Sequence, residues 1–217
     1  MRVITGSARG TKLVTLEGDN TRPTSDRVKE AVFSMLQFDI EGRAVLDLFA
    51  GSGQMGLEAL SRGAARATLI DVSRDAAEII IENAKKTHLF KQCRVTATDY
   101  ASFIRGAQGK ETFDIIFLDP PYNTDLLPNA LRLLDSAKLC AVGSYIVCET
   151  DCDIPVKASR ARKDEELTAE CVRRDVFGED DELAAKYEVV KSTLYGRTRI
   201  TLLHPAAVEE VSEEAAE

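Results

Sequence analysis

The sequence predicts an α/β domain in which a parallel sheet carries helices on both faces. Two patterns support this. From Ala44 onward, short apolar runs alternate with amphipathic helical segments, and the first run enters a glycine turn, Gly51-Ser52-Gly53, that opens a helix. The composition agrees: 217 residues, 44% hydrophobic and 29% charged, suit one globular domain. No apolar run approaches the length of a membrane span, and Met1-Arg2-Val3-Ile4-Thr5-Gly6 lacks a signal peptide's apolar stretch. A cytoplasmic protein with no membrane partner is expected.

The elements follow in order. Arg2 to Leu16 reads as a hairpin: Val3 and Ile4 start one strand, Ser7-Ala8-Arg9-Gly10 turns, and Lys12 to Thr15 returns. A polar loop, Glu17 to Pro23, leads to a helix capped by Thr24 or Ser25, with Val28, Ala31, Val32, Met35 and Leu36 on one stripe. Strands are expected at Ala44–Leu48, Ala67–Ile70, Arg94–Ala97, Asp114–Leu118 and Tyr145–Cys148. Helices fit between them at Gly53–Arg62, Arg74–Lys86, Tyr100–Gly106 and Leu126–Leu139. Right-handed crossovers then gather the loops after the strands along one edge, where ligands bind. Lys157 to Lys186 is charge-rich, with helical stretches at Lys163–Val172 and Asp180–Lys186, and reads as a surface insertion or flap. Tyr187–Leu194 and Arg199–Leu203 are two last strands about the turn Tyr195-Gly196-Arg197-Thr198. Residues 24–204 thus form the main domain, 1–23 an N-terminal hairpin and loop, and 205–217 an acidic tail expected to be disordered.

The net charge of −8 argues mildly against nucleic acid, but removing the five tail glutamates leaves −3. The first thirty residues are locally basic through Arg2, Arg9, Lys12, Arg22, Arg27 and Lys29. Five scattered cysteines, without a C-x-x-C pair, and two distant histidines, His88 and His204, indicate reduced packing thiols and no metal site. His88 falls near a helix end, as a surface or capping residue.

Gly51-x-Gly53-x-x-Gly56 matches a dinucleotide fingerprint, although glycine turns between strand and helix are common in any case. Asp71 ends the next strand, where it can accept from ribose hydroxyls or serve the following helix as a cap. Asp99-Tyr100 ends the third: the carboxylate can accept from an adenine amino group and the ring cover its face, or Asp99 can be an N-cap. Asp47, just before the glycines, is badly placed for a pyrophosphate, which prefers bare N–H groups, and well placed for an ammonium. The set favours S-adenosyl-L-methionine over NAD.

Asp119-Pro120-Pro121-Tyr122 closes the fourth strand. The prolines fix φ and remove backbone donors, leaving carbonyls as acceptors. The Asp119 carboxylate and the Pro120 carbonyl can both accept from one exocyclic NH2 while Tyr122 stacks on the ring that bears it. Two acceptors aimed at an aromatic amine favour the tetrahedral nitrogen formed as it attacks a methyl group. A proline-rich turn with a packed tyrosine is the structural alternative.

Asp47-Leu48-Phe49-Ala50-Gly51-Ser52-Gly53 and Asp119-Pro120-Pro121-Tyr122 resemble motifs I and IV of amino-methyltransferases. Arg2 to Gly6, Thr21 to Glu30, Leu57 to Ala64 and Tyr195 to Thr198 narrow the resemblance to the bacterial RsmD family, over about residues 1–150 and 187–204. It implies a Rossmann-like class I methyltransferase: a seven-stranded, mostly parallel sheet with an antiparallel last strand, preceded by a hairpin. It implies S-adenosyl-L-methionine as cofactor, S-adenosylhomocysteine as product, and N2 of a guanine in 16S rRNA of the small ribosomal subunit as target, with a monomeric enzyme expected. Asp47, Phe49, Gly51, Ser52, Gly53, Asp71, Asp99 and Tyr100 would line the cofactor site, and Asp119, Pro120, Pro121 and Tyr122 the target base. Arg2, Arg9, Lys12, Arg22, Thr24 and Arg27 would face RNA, although a helix-pairing role for Arg27 is open. The alternatives are a DNA adenine-N6 or protein glutamine methyltransferase, an NAD-binding oxidoreductase that leaves the clamp unexplained, and a silent RNA-binding assembly factor.

Overall fold

A computed structural model describes residues 1–15, 26–122, 124–151 and 164–206, with the side chains of 164–167 excepted. Seven strands form one sheet: β1 (Ala44–Asp47), β2 (Arg66–Asp71), β3 (Cys93–Ala97), β4 (Phe113–Leu118), β5 (Cys140–Asp151), β6 (Tyr187–Tyr195) and β7 (Thr198–Pro205). Their order is β3-β2-β1-β4-β5-β7-β6. β1 to β5 pair in parallel, and β7 runs antiparallel to both β5 and β6. The fold is the Rossmann-like class I architecture expected from the sequence.

Because successive side chains on a strand point to opposite faces, each strand feeds two cores. Val45, Ile115, Phe117 and Val147 face the first, which is covered by α1 (Asp26–Met35), α2 (Gln54–Ser61) and α3 (Arg74–Lys86). Leu46, Ile116, Leu118 and Ile146 face the second, covered by α4 (Tyr100–Ala107) and α5 (Leu126–Ala137). Of the predicted stripe, Val28, Val32 and Leu36 are buried while Ala31 and Met35 are partly exposed, and Phe33, outside the predicted stripe, is buried beside them.

Three elements differ from expectation. The N-terminal hairpin is present but shorter than expected: its arms pair at Arg2 and Lys12, with Val3 N–H donating to Thr11 O at 3.0 Å and Leu13 N–H to Met1 O at 3.2 Å. Side chains of α2 supply the missing backbone partners: the Glu58 carboxylate accepts from Ile4 N–H at 2.7 Å and Thr5 N–H at 3.0 Å, and Ser61 Oγ accepts from Ala8 N–H at 2.9 Å. β5 begins five residues earlier than its apolar run, with Gly143 at φ 69° in an irregular stretch between the paired positions Cys140 and Tyr145. The charge-rich region is no surface flap in its described part. α6 (Asp164–Asp175) and α7 (Asp181–Ala184) belong to the second core, where Val172, Val176, Phe177 and Leu183 are buried, and Cys171, beside them in the sequence, is buried too. Tyr187 closes this layer, its hydroxyl donating to Leu131 O at 2.7 Å and its ring 6.2 Å from that of Phe177. The predicted cap Thr24 or Ser25, Cys152 and the acidic tail beyond Ala206 lie outside the described residues.

Candidate active site

The strand order reverses between β1 and β4: the chain leaves β1 toward β2 on one side, and β4 enters on the other. A crevice opens outside the carboxyl ends of strands at such a point. The loop after β1 is the glycine turn, and the loop after β4 is Asp119 to Tyr122. The two motifs read from the sequence therefore leave the same edge of the sheet, from the adjacent parallel strands β1 and β4.

Gly53 caps α2 from the left-handed region, at φ 77°, which glycine reaches without strain. Gly56 serves closeness instead: a Cβ there would stand 2.1 Å from Leu69 Cδ2 of β2. A Cβ built on Gly51 meets nothing within 4 Å, so the turn is open on its crevice side. Asp71 shapes the turn. Its Oδ2 accepts from Gly51 N–H at 2.9 Å and its Oδ1 from Ser73 N–H at 2.9 Å. Ser73 caps α3 through Ala76 N–H, the role open for Asp71 in the sequence. An ionised carboxylate offers about four acceptor positions, so capacity remains for hydroxyl donors.

Asp47 is buried beneath this turn, 2% exposed, and accepts from the backbone N–H groups of Phe49 and Gly56. Gly56 N–H is one of the first-turn donors of α2, so Asp47 completes that helix start from another element. Burial pushes its carboxyl up to about 7, and the nearby Asp71 charge adds to the effect. Asp99 is exposed and caps α4 through Ser102 N–H at 2.8 Å; the Ser102 hydroxyl first, and then this backbone bond, hold its carboxyl below the usual range. The Phe49 and Tyr100 rings meet at 5.4 Å, an apolar contact between the β1 and β3 loops.

Ser52 ties the turn to the N-terminal arm. Its hydroxyl donates to Met1 Sδ at 3.2 Å, and its carbonyl accepts from Asn83 Nδ2 at 3.0 Å. The fully buried Asn83 amide also exchanges bonds with Val14, accepting from its N–H at 2.8 Å and donating to its carbonyl at 2.9 Å. Asn83 stood in the sequence as a polar residue within the apolar stripe of α3, the one signal of such a role. Arg9, Lys12 and Arg27 are exposed on the arm and the start of α1, and exposed Arg2 lies 3.3 Å from Asp26. Arg22 and Thr24 lie outside the described residues.

Asp119 and Tyr122 are half-buried, Pro120 is buried and Pro121 exposed. The Tyr122 hydroxyl donates to Glu149 Oε1 at 2.9 Å. Burial, followed by the charges of Glu149 and Asp119, drives the phenol far above its ordinary pKa, so it remains a neutral donor. Pro120, Pro121, Tyr122 and Glu149 share a cleft of about 270 Å³ with Thr150, Asp151 and Arg174. Glu149 escaped the sequence reading, although it follows an apolar strand core as Asp71 and Asp119 do.

Among the described residues no group of His, Cys, Asp and Glu side chains could hold a metal ion, and no helix is long and apolar enough to cross a membrane. Cys93, Cys140, Cys148 and Cys171 are free thiols. Burial pushes Cys93 and Cys140 up to about 12 and Cys148 higher still, which leaves them unreactive.

A family model described as Conserved hypothetical protein 95 matches residues 1–176. Ribosomal RNA small subunit methyltransferase D of Haemophilus influenzae is 36% identical over 157 residues, 72% of this chain and 81% of that protein. Its Escherichia coli namesake is 39% identical over 151 residues, 70% of this chain and 75% of that one. The solved structure of yhhF from Escherichia coli superposes with a TM-score of 0.73 at 31% identity, covering 96% of this chain and 99% of that chain. SMU.776, solved with SAH, shares the fold at a TM-score of 0.58 and 16% identity, covering 81% of this chain and 48% of that one.

Proposed function

The chain belongs to the RsmD family of rRNA methyltransferases, and from that premise we propose that it methylates the exocyclic N2 of a guanine in 16S rRNA of the small ribosomal subunit, with S-adenosyl-L-methionine as donor. The observation that carries the proposal is that the glycine turn and Asp119 to Tyr122 leave the carboxyl ends of the adjacent parallel strands β1 and β4, the switch point where a crevice is expected. The open face at Gly51, the remaining acceptor capacity of Asp71, the exposed Asp99 and the Phe49–Tyr100 contact fit a nucleoside with free ribose hydroxyls. Asp47 speaks against a pyrophosphate: its carboxylate already takes an N–H of α2's first turn, where a dinucleotide phosphate would bind.

When bound, S-adenosyl-L-methionine supplies a sulfonium methyl group as electrophile. The chain's own residues do the rest. Asp119 and the Pro120 carbonyl hold the two amino hydrogens, turn the nitrogen lone pair out of conjugation and stabilise the positive charge that grows on it. Tyr122, neutral and anchored by Glu149, offers its ring to the base plane. The base must leave its stack to reach this loop, so an accessible loop nucleotide is expected as target. The basic residues of the arm, Arg2, Arg9, Lys12 and Arg27, would meet phosphates beside the crevice. A monomeric, cytoplasmic enzyme working without a metal is the accompanying reading.

The test incubates the protein with labelled S-adenosyl-L-methionine and small subunits from a strain lacking the modification, then maps the label. Label on N2 of a single 16S guanine is expected. No transfer to 16S rRNA, or label on adenine, would sink the proposal.

A further inference from the structure

Two prolines in a row deprive the clamp loop of backbone donors. Pro120 and Pro121 carry no N–H, and Thr124 Oγ1 donates to Pro121 O at 2.8 Å. A ring on such a loop needs an anchor from outside it.

That anchor comes from β5. Leu118 and Cys148 are the last paired positions of β4 and β5, so Glu149 stands one residue beyond the point where the clamp leaves the sheet. Val147 points into the first core and Cys148 into the second, so alternation turns Glu149 to the first-core face, on which α1 and the N-terminal arm lie. Its side chain is 8% exposed and fixed by a strand paired on both sides. Thr198, at the start of β7 and also buried, hydrogen-bonds to Tyr122 from the other neighbour.

We propose that Glu149 is a positioning residue, which fixes the pitch of the Tyr122 ring through the hydroxyl bond and so sets the plane in which the target base is held. This rests on the reading of Tyr122 as the stacking partner. It goes beyond it by assigning a residue outside the Asp119–Tyr122 motif to the geometry of attack. The effect is large because methyl transfer needs an aligned lone pair, and a misplacement of about 1 Å can cost on the order of 100-fold.

The test compares Glu149→Gln, Glu149→Ala, Tyr122→Phe and the double variant Glu149→Ala/Tyr122→Phe. Glutamine keeps an acceptor oxygen at the same reach, so Glu149→Gln is expected to retain kcat within about threefold. Glu149→Ala and Tyr122→Phe are each expected to lower kcat about 10- to 100-fold with unchanged cofactor Kd. The double variant should be no worse than Tyr122→Phe alone, because that variant already removes the bond to Glu149 together with the one to Thr198. Wild-type kcat in Glu149→Ala, equal damage from Gln and Ala, or multiplied losses in the double variant would each overturn the proposal. Kinetics use whichever acceptor the wild-type protein labels, so a target other than guanine defeats the proposed substrate and leaves this test intact. A measurement independent of turnover runs beside it. In protein carrying 3-fluorotyrosine at its five tyrosines, the resonance lost in Tyr122→Phe should be one sharp line in the wild type and Glu149→Gln. It should shift or average in Glu149→Ala, and an unmoved line there also overturns the proposal.

Discussion

At the scale of single residues, carboxylates at strand ends take quite different parts. Asp71 and Asp99 bind backbone N–H groups and keep capacity facing outward, whereas Asp47 is sealed beneath the turn. Asp119 is the acid that the proposed reaction uses. Asp119→Ala should abolish methyl transfer while cofactor affinity stays within a few-fold, as measured by calorimetry and single-turnover assays; wild-type turnover would remove the clamp mechanism. Asp47 predicts a pH effect. Its carboxyl moves from the ordinary 3.8 to about 7 on folding, so the folded chain holds a proton that the unfolded chain releases. This favours folding at low pH, and the advantage is lost as pH rises from about 4 to about 7. Denaturant titrations at pH 5 and pH 8 should therefore show wild type losing stability relative to Asp47→Asn; a pH-independent difference would contradict it.

At the scale of elements, α2 joins the arm to the sheet. Glu58 and Lys29 are fully buried; Glu58 takes Arg62 Nε at 2.8 Å and Lys29 Nζ at 3.5 Å, and the Lys29 ammonium also donates to the Arg2 carbonyl. Burial lowers the Lys29 pKa, against the raising charge of Glu58. Leu57 to Ala64, read from the sequence as a family motif, is thus the arm's docking surface. Glu58→Ala leaves a buried ammonium and two backbone donors without this partner and should cost about 3–5 kcal/mol, measured by chemical denaturation. The N-terminal arm should become protease-sensitive first.

At the scale of the molecule, the two cores differ in how readily the sequence displays them. The helices of the first carry regular apolar stripes. The second is completed by a stretch of mostly charged residues in which Cys171, Val172, Val176, Phe177 and Leu183 are the buried minority. Phe177→Ala should cost about 3–5 kcal/mol in thermal or denaturant unfolding, as a core truncation does; a surface flap would lose almost nothing. The strand–helix alternation, the glycine turn and the acid-proline-proline-tyrosine run were legible because each is local: periodicity, backbone freedom and absent N–H groups act within a few residues. Amino-acid order by itself therefore determined the α/β class, the crevice-facing loops and the residue types that meet there. Tertiary structure alone decided that β7 lies between β5 and β6, that Asp47 faces backbone donors, that α2 holds the arm and that Glu149 holds Tyr122. A strand's alternation specifies its faces but not its neighbour, and a polar side chain finds its partner only when packing brings residues distant in sequence within hydrogen-bond reach.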